Sequence, residues 1–336
     1  MKPALLILNS GSSSLKFRLY GLSATGQSDL PYILGGKVTD IGGTPAFQLH
    51  NNETSRDERH TLPSAITHAE ALTHILHQLT ALSGDWQVTS AAHRIVHGGP
   101  DFTHAVRLDA DAMRYLRSLE PLAPLHQPHN LKAVEALWAV TPDLVQYGCF
   151  DTAFHTGHAP LHSTYALPKS IRDQGVRRYG FHGLSYQWIA EVLKTDHPTL
   201  HAGRTIVAHL GNGSSLCALK GGRSIDTTMG FTALEGLPMG TRSGSVDPGA
   251  VLYMQQTLGL SPDQIQSVLY DESGLKGLSG ISNDVQTLLS SHAPEAAFAL
   301  DYFAVKTAQH IASLSVSLGG LDGLVFTGGI GEHAAQ

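Results

Sequence analysis

Two arginines stand among glycines and histidines rather than among carboxylates: Arg94 in AAHRIVHGGP and Arg242 in GLPMGTRSGSVDPG. A guanidinium keeps its charge and offers a planar fork of donors, so two of them converging on a transferring phosphoryl group would stabilise its equatorial oxygens. Taken singly, each also suits a structural ion pair. Asp151 closes the apolar run LVQYGCF. At the carboxyl end of a buried parallel strand it would lie where open α/β sheets place ligands, able to hold Mg²⁺ or to orient a nucleophile. His182 in RYGFHGLSY follows two aromatics and lies between Gly180 and Gly183. It reads either as a donor to phosphoryl oxygens or as a satisfied core histidine.

Three Gly-rich turns accompany these groups, at 9 to 14 (NSGSSS), 211 to 215 (GNGSS) and 328 to 331 (GGIG). None is a P-loop, because GxxxxGK[ST] is absent, and GGIGEH fails GxGxxG. Gly-rich turns at strand ends bring backbone N–H groups close to phosphates, and three of them in a two-unit chain suit a nucleotide held between domains. HTGHAPLH (His155, His158, His162) and HQPHN (His126, His129) lack HExxH or paired Cys/His spacing, so these are read as scattered histidines rather than a zinc centre.

The elements that must carry these groups follow from periodicity. ALLIL and LKFRLY flank the serine turn, with Leu15, Phe17 and Leu19 alternating onto one face, which predicts a β-hairpin. Strand-like PYILGGKV and TPAFQL follow. PSAITHAEALTHILHQLTAL places Ile66, Ala69, Leu72, Leu76 and Leu79 at helical spacing behind Ser64 as cap. Strand-like VTSAAHRIV, helices near 109 to 119 and 129 to 140, and LVQYGCF complete a first α/β unit over 1–150. From 151 to 336 the pattern restarts: RTIVAHLGNGSSLCALKGG again gives strand, Gly/Ser turn and strand, echoing the first hairpin and pointing to a duplicated domain. The last third reads as helices at SPDQIQSVLYDE and PEAAFALDYFAVKTAQHIASLSVSL, then a strand GLVFT entering GGIGEH.

Bulk properties narrow the partners. The 336 residues carry 22 Lys plus Arg against 28 Asp plus Glu with no basic block, which argues against nucleic acid. No apolar stretch has the length of a membrane span or a signal h-region, and two cysteines make no disulfide framework, so a cytoplasmic protein is expected.

NSGSSSLKF, HRIVHGG, LAPLHQPHNL, FDTAFH, RYGFHGLSY, HLGNGSSLCAL, EGLPMGTRSGSVDPG, SGISNDV and FTGGIGE together resemble the acetate and propionate kinase family, the acetokinases. The resemblance implies the duplicated actin-like ATPase fold, built from ribonuclease H-like α/β domains with a nucleotide cleft between them. It implies Asp151, Arg94, His182, Arg242 and His126 as catalytic residues, with Asn9 on the metal. Lys16, Ser12, the stretch His209, Leu210, Gly211, Asn212 and Gly213, the stretch Asp284, Val285 and Gln286, and Gly329, Ile330, Gly331, Glu332 and His333 would take the nucleotide. Arg94, Val96, Leu125 and Ala233 would take the acyl substrate. The implied co-substrates are ATP or ADP and acetate or propionate, with Mg²⁺ or alternatively Mn²⁺, in a homodimer. The sequence offers no obvious general base of the kind an alcohol kinase needs, and the resemblance makes sense of that: a carboxylate, with a pKa near about 4, is already ionised and can attack the γ-phosphoryl group directly.

The sequence departs from the family pattern in places. Gln286 stands where Arg is common, His333 where Asn is common, and Ala233 where Pro is typical, which implies a slightly roomier acyl pocket that would admit propionate. Family members continue for several dozen residues beyond the position of Gln336, including a Glu that helps bind Mg²⁺, so the second domain is expected to expose apolar surface. The sequence also admits a kinase for butyrate or a sugar hydroxyl, and a non-catalytic nucleotide binder.

Overall fold

A computed structural model describes residues 1–11, 13–22, 30–82 and 84–334, and these form two compact units, Met1–Ala153 and Phe154–Gln336. In the first unit, β1 (Lys2–Ser10), β2 (Leu15–Gly21), β3 (Tyr32–Thr39), β4 (Ala46–Asn51) and β5 (Arg56–Thr61) are a continuous antiparallel run. Then α1 (His68–Leu82) leads to β6 (Trp86–Ile95), which lies parallel to β1. β7 (Val106–Arg107), α2 (Ala110–Ser118), α3 (Gln127–Val140) and β8 (Val145–Phe150) follow, and β8 runs parallel to β6. The strand order is β5-β4-β3-β2-β1-β6-β8-β7.

Alternation makes this sheet one-sided. Leu6 and Leu8 on β1 and Leu15, Phe17 and Leu19 on β2 are buried, as their spacing predicts, and pack with Leu72, Ile75 and Leu79 of α1. The predicted face of α1 is rotated: Ala71 and Ile75 are buried, whereas Ala69 is exposed. Its cap is Thr67 rather than Ser64. Thr67 Oγ1 accepts from Glu70 N (3.2 Å) and the Glu70 carboxylate accepts from Thr67 N (2.7 Å), a reciprocal box that satisfies two otherwise orphaned donors.

In the second unit, α4 (Pro160–Ser163), α5 (Lys169–Arg172), α6 (Gly183–Asp196) and α7 (Pro198–Ala202) precede β9 (Arg204–His209), β10 (Ser215–Lys220) and β11 (Arg223–Thr227). Helices α8 (Pro248–Gln256), α9 (Pro262–Ser267), α10 (Gly274–Ser279), α11 (Val285–Leu289) and α12 (Pro294–Leu318) lead to β12 (Gly323–Thr327) and α13 (Gly328–His333). The stretch expected as one helix at SPDQIQSVLYDE ends its α-form at Ser267 and continues as a π-turn over Val268–Glu272. Strand β9 is buried on both faces. Ile206, Ala208, Leu216 and Ala218 pack against Ala296, Ala299 and Leu314 of α12, while Val207, Cys217 and Leu219 pack against Tyr186 and Ala190 of α6. Leu324 and Phe326 on β12 and Val316 on α12 stand exposed.

The echo between the two Gly/Ser hairpins extends to topology. β1 pairs antiparallel with β2, which pairs antiparallel with β3, and β1 is parallel to β6; β9 pairs antiparallel with β10, which pairs antiparallel with β11, and β9 is parallel to β12. Order β3-β2-β1-β6 is thus repeated as β11-β10-β9-β12. Among the described residues, no helix is long and apolar enough to cross a membrane.

Burial pushes His93, His97 and His158 down to about 4 from the ordinary 6.5. Each is neutral in the fold while an unfolded chain would protonate it below pH 6.5. Their stabilising share is therefore complete above pH 6.5 and is lost as the pH falls toward 4, at up to about 1.4 kcal/mol per pH unit for each group. Urea midpoints measured from pH 7.5 to 4.5 are expected to fall steadily below pH 6.5; a flat profile would contradict the buried neutral state.

Candidate active site

The carboxyl ends of three neighbouring strands in the first unit bring together residues far apart in the chain. Asn9 comes from β1, Arg94 from β6, and Asp151 directly follows β8. Arg94 Nε donates to Asp151 Oδ1 (2.9 Å), Nη2 to Oδ2 (2.6 Å), and Nη1 to Asn9 Oδ1 (3.3 Å). The Asp151 side chain is 3% exposed and that of Arg94 is 37% exposed, so the carboxylate is sealed while the cation keeps an open side. Asp151 raises the Arg94 pKa further above its ordinary value, so this guanidinium is permanently charged. Asp151 lies in the first unit, held there by this pair.

The surrounding backbone is fixed by two buried side chains that the sequence reading passed over. Asn130 Oδ1 accepts from Val96 N (2.9 Å) and its Nδ2 donates to Ser10 O (2.7 Å). Gln127 Oε1 accepts from His97 N (3.1 Å) and its Nε2 donates to His97 O (3.0 Å). Both open α3, so this helix ties the ends of β1 and β6 together. Val96 is buried, Leu125 is half-buried just before α3, and half-buried His126 occupies the N-cap position of α3. The hairpin turn is closed by Gly11 N–H donating to Ser14 O (2.8 Å). Ser12 lies outside the described residues. Lys16 is the cross-strand partner of Asn9, so the two share a face of the sheet and line an open depression of about 830 Å³ with Arg18 and Lys37.

In the second unit, two Gly-rich segments are pinned to each other. Leu210 N donates to Thr327 O (2.8 Å), and Leu210 O accepts from Ile330 N (2.9 Å) and Gly331 N (3.1 Å). The stretch 209–213 and the first turn of α13 therefore form one rigid backbone corner. Asn212 Oδ1 accepts from Asn283 Nδ2 (3.1 Å), linking that corner to the segment before α11. Exposed Asp284 caps α11, accepting from Thr287 N (2.9 Å) and Thr287 Oγ1 (2.8 Å), bonds that also lower its pKa. Val285 is buried in the core, so only its backbone is available to a ligand, and Gln286 is exposed beside it. Glu332 accepts from Gly328 N (3.2 Å) and Thr327 Oγ1 (3.2 Å), capping α13, and His333 ends that helix.

Arg242 leaves the loop before α8, donates from Nη1 to Ala233 O (3.1 Å), and lies over the Tyr270 ring at 5.8 Å. That loop is fastened to α10: Leu275 N donates to Met239 O and Ser273 N to Thr241 O, both at 2.9 Å. His182 sits at the N-cap of α6 in the left-handed region (φ 58°), an uncommon conformation for a non-glycine residue that clusters at functional sites. Its Nδ1 meets Ser215 Oγ at 2.8 Å and its ring lies against that of His209, tilted by 33° with centroids 4.4 Å apart. The sequence signals for Ser215 and Tyr186 were present, as a serine ending GNGSS and an aromatic four residues after His182, but their meeting depends on the strand-to-helix packing.

Asn9 Oδ1 is the hard oxygen that a metal would find at the end of β1. Among the described residues no group of three His, Cys, Asp or Glu side chains could hold an ion. Asn9 Oδ1 carries one long bond from Arg94, which suits Mg²⁺ borne mainly by phosphates and water with one protein oxygen.

The acetokinase family model matches residues 4–336. Acetate kinase of Rhodopseudomonas palustris strain TIE-1 is 45% identical over 337 residues, covering 100% of this chain and 84% of the relative. Acetate kinase of Nitrobacter hamburgensis is 44% identical, covering 99% and 82%. A propionate kinase structure from Francisella tularensis superposes with a TM-score of 0.90 at 34% identity, covering 99% of this chain and 85% of that one. Acetate kinase from Porphyromonas gingivalis gives 0.84 at 33%, covering 99% and 84%. The duplicated α/β architecture is that of the actin-like ATPases. A whole-chain family match, relatives above 40% identity and structures that superpose throughout lead to one assignment: the chain belongs to the acetokinase family.

Proposed function

We propose that this chain transfers the γ-phosphoryl group of Mg·ATP to acetate, reversibly, giving acetyl phosphate and ADP, with propionate as a second acceptor. Family membership makes it a phosphotransferase acting on a carboxylate. The observation that carries the reading is the Asn9, Arg94 and Asp151 arrangement, where both carboxylate oxygens of Asp151 are engaged by Arg94. A hydroxyl acceptor would need a free base to take its proton, whereas a carboxylate acceptor, ionised above a pKa of about 4, needs only positive charge and alignment. Asp151 in this reading orients Arg94, and the open side of Arg94 holds the acceptor carboxylate.

His182 and Arg242 then donate to the equatorial oxygens of the phosphoryl group as charge spreads over them. Backbone N–H groups of the 209–213 and 328–331 corner and the Lys16 ammonium take the remaining phosphates, with Asp284 and Gln286 on the adenosine side. His126 contacts the phosphoryl group or the acceptor. Mg²⁺, when bound through Asn9, would neutralise phosphate charge. Val96, Leu125 and Ala233 form the acyl wall, and one methylene is worth only about 1–3 kcal/mol of discrimination, so both acids are accepted. The family likeness also supports a cytoplasmic homodimer.

Trapping with hydroxylamine after incubation with Mg·ATP and either acid is expected to yield acyl hydroxamate, more from acetate. Arg242→Ala is expected to lower kcat by about 10²–10³, the usual effect of removing one transition-state donor. Absence of hydroxamate while ATP binding remains detectable would overturn the reading.

A further inference from the structure

His182, Ser215 and Tyr186 form a buried chain of three exchangeable hydrogens whose direction can be counted. Ser215 and Tyr186 are both fully buried. His182 Nδ1 lies 2.8 Å from Ser215 Oγ, and Tyr186 Oη lies 2.5 Å from the same oxygen. Among the described residues, neither hydroxyl has a hydrogen-bond partner outside this chain. Three arrangements are available for a neutral imidazole. If His182 carried its hydrogen on Nδ1 and donated to Ser215, the serine hydrogen would turn to Tyr186 and strand the phenolic hydrogen. If Ser215 accepted from both neighbours, its own hydrogen would be stranded. Only the arrangement in which Tyr186 donates to Ser215 and Ser215 donates to Nδ1 leaves no buried hydrogen without an acceptor. A stranded buried donor costs about 1–3 kcal/mol, which sets the preference.

We infer that Ser215 is a positioning residue that holds His182 neutral with its hydrogen on Nε2, and that Tyr186 fixes the direction of the serine hydroxyl. This rests on the reading of His182 as a phosphoryl contact. The same count opposes the imidazolium, since a second hydrogen on Nδ1 would again strand a hydroxyl hydrogen. The N-terminus of α6, where His182 sits, opposes a positive charge as well. The backbone is held by the same turn: Ser185 N and Tyr186 N both donate to His182 O, at 3.0 and 3.1 Å. On the other side of the ring, Nε2 would lie 3.4 Å from a Cβ placed at Gly213. A ring fixed in this tautomer carries its hydrogen on Nε2, on the side of the Gly-rich turn, and its orientation is set before negative charge develops on the phosphoryl oxygens.

The test reads the tautomer directly. In protein labelled with ¹⁵N in the imidazole rings, the His182 signals are assigned by their loss in His182→Ala. At pH 7.5 the wild type is expected to show a protonated Nε2 and an unprotonated Nδ1. Ser215→Ala is expected to give a tautomer mixture and to lower kcat about three- to tenfold, with KM for ATP within twofold, the size of effect a lost orienting bond has. Tyr186→Phe keeps Ser215 as the donor to Nδ1 and is expected to keep the tautomer. A hydrogen on Nδ1 in the wild type, or unchanged ring signals in Ser215→Ala, would overturn the inference. Unimpaired kcat in His182→Ala would instead overturn the role given to His182, leaving the tautomer result standing.

Discussion

Arg94→Lys is expected to lower kcat/KM for acetate by about 10²–10³ while leaving the fold intact, because a lysine cannot replace what this arginine does in three directions at once. Arg94 spends Nε and Nη2 on the two oxygens of Asp151 and directs Nη1 to Asn9. A single ammonium at the end of a flexible stem neutralises the carboxylate but does not hold a plane, so the acceptor loses its alignment. Arg94→Ala separates the electrostatic part. It leaves Asp151, 3% exposed, as a buried carboxylate without its cation. Removing one partner of a buried pair typically costs about 3–5 kcal/mol, and the partial exposure of Arg94 places this case toward the lower end. Steady-state kinetics and urea midpoints together give the answer: the lysine variant loses rate without stability, and the alanine variant loses both. A lysine variant within a few fold of wild type would show that Arg94 acts as a charge alone.

Periodicity carried much of the architecture and failed where tertiary context decides. The alternation of Leu15, Phe17 and Leu19 is local, and all three are buried where it places them. Ser64 is the expected cap of α1; Thr67 takes that place, and Glu70, three residues after Thr67, is the signal that points to it. The burial face of α1 shifted toward Ala71 and Ile75 because the sheet above it, rather than helix hydrophobicity alone, chooses the buried stripe. SPDQIQSVLYDE read as one helix since no Gly or Pro interrupts it after Pro262. Its π-turn over Val268–Glu272 serves the fold instead: Ser243 N donates to Leu269 O and Thr241 Oγ1 to Tyr270 O, so the segment departs from the α-form where it anchors the Arg242 loop.

For the candidate site, residue types were legible and pairings were not. Arg94 and Asp151 are 57 residues apart, yet both end neighbouring parallel strands, a juxtaposition that follows once β6 and β8 are recognised. Asn130 and Gln127 escaped notice since a polar residue early in a helix normally faces water, and only the closeness of α3 to the ends of β1 and β6 makes them structural. The Ser215 contact with His182 joins a strand start to a helix cap 33 residues apart. No local period encodes such a contact.

Gly274→Ala is expected to displace the Arg242 side chain by pressing on the backbone of its loop. Gly274 has φ +62°, a left-handed conformation that costs an alanine about 1–2 kcal/mol. An added Cβ would lie 2.1 Å from Met239 O and 2.8 Å from Arg242 O, both backbone atoms that cannot swing aside. Overpacking of this kind adds about 1–3 kcal/mol, giving a total destabilisation of about 2–5 kcal/mol. Relief requires the 239–242 loop to withdraw from α10, which breaks the bonds from Leu275 N and Ser273 N and moves the guanidinium away from the position Ala233 O holds. Activity should therefore fall further than stability explains, with kcat down about tenfold or more at a temperature where the variant remains folded. Leu314→Ala supplies the comparison: Leu314 is a buried contact of α12 whose truncation costs a similar 2–5 kcal/mol, roughly, but which lies in the core rather than at the loop. Equal stability loss with unequal kcat in the two variants would locate the effect in the Arg242 loop. Equal kcat in both would mean that the enzyme tolerates displacement of this arginine, and would weaken its assignment to the phosphoryl group.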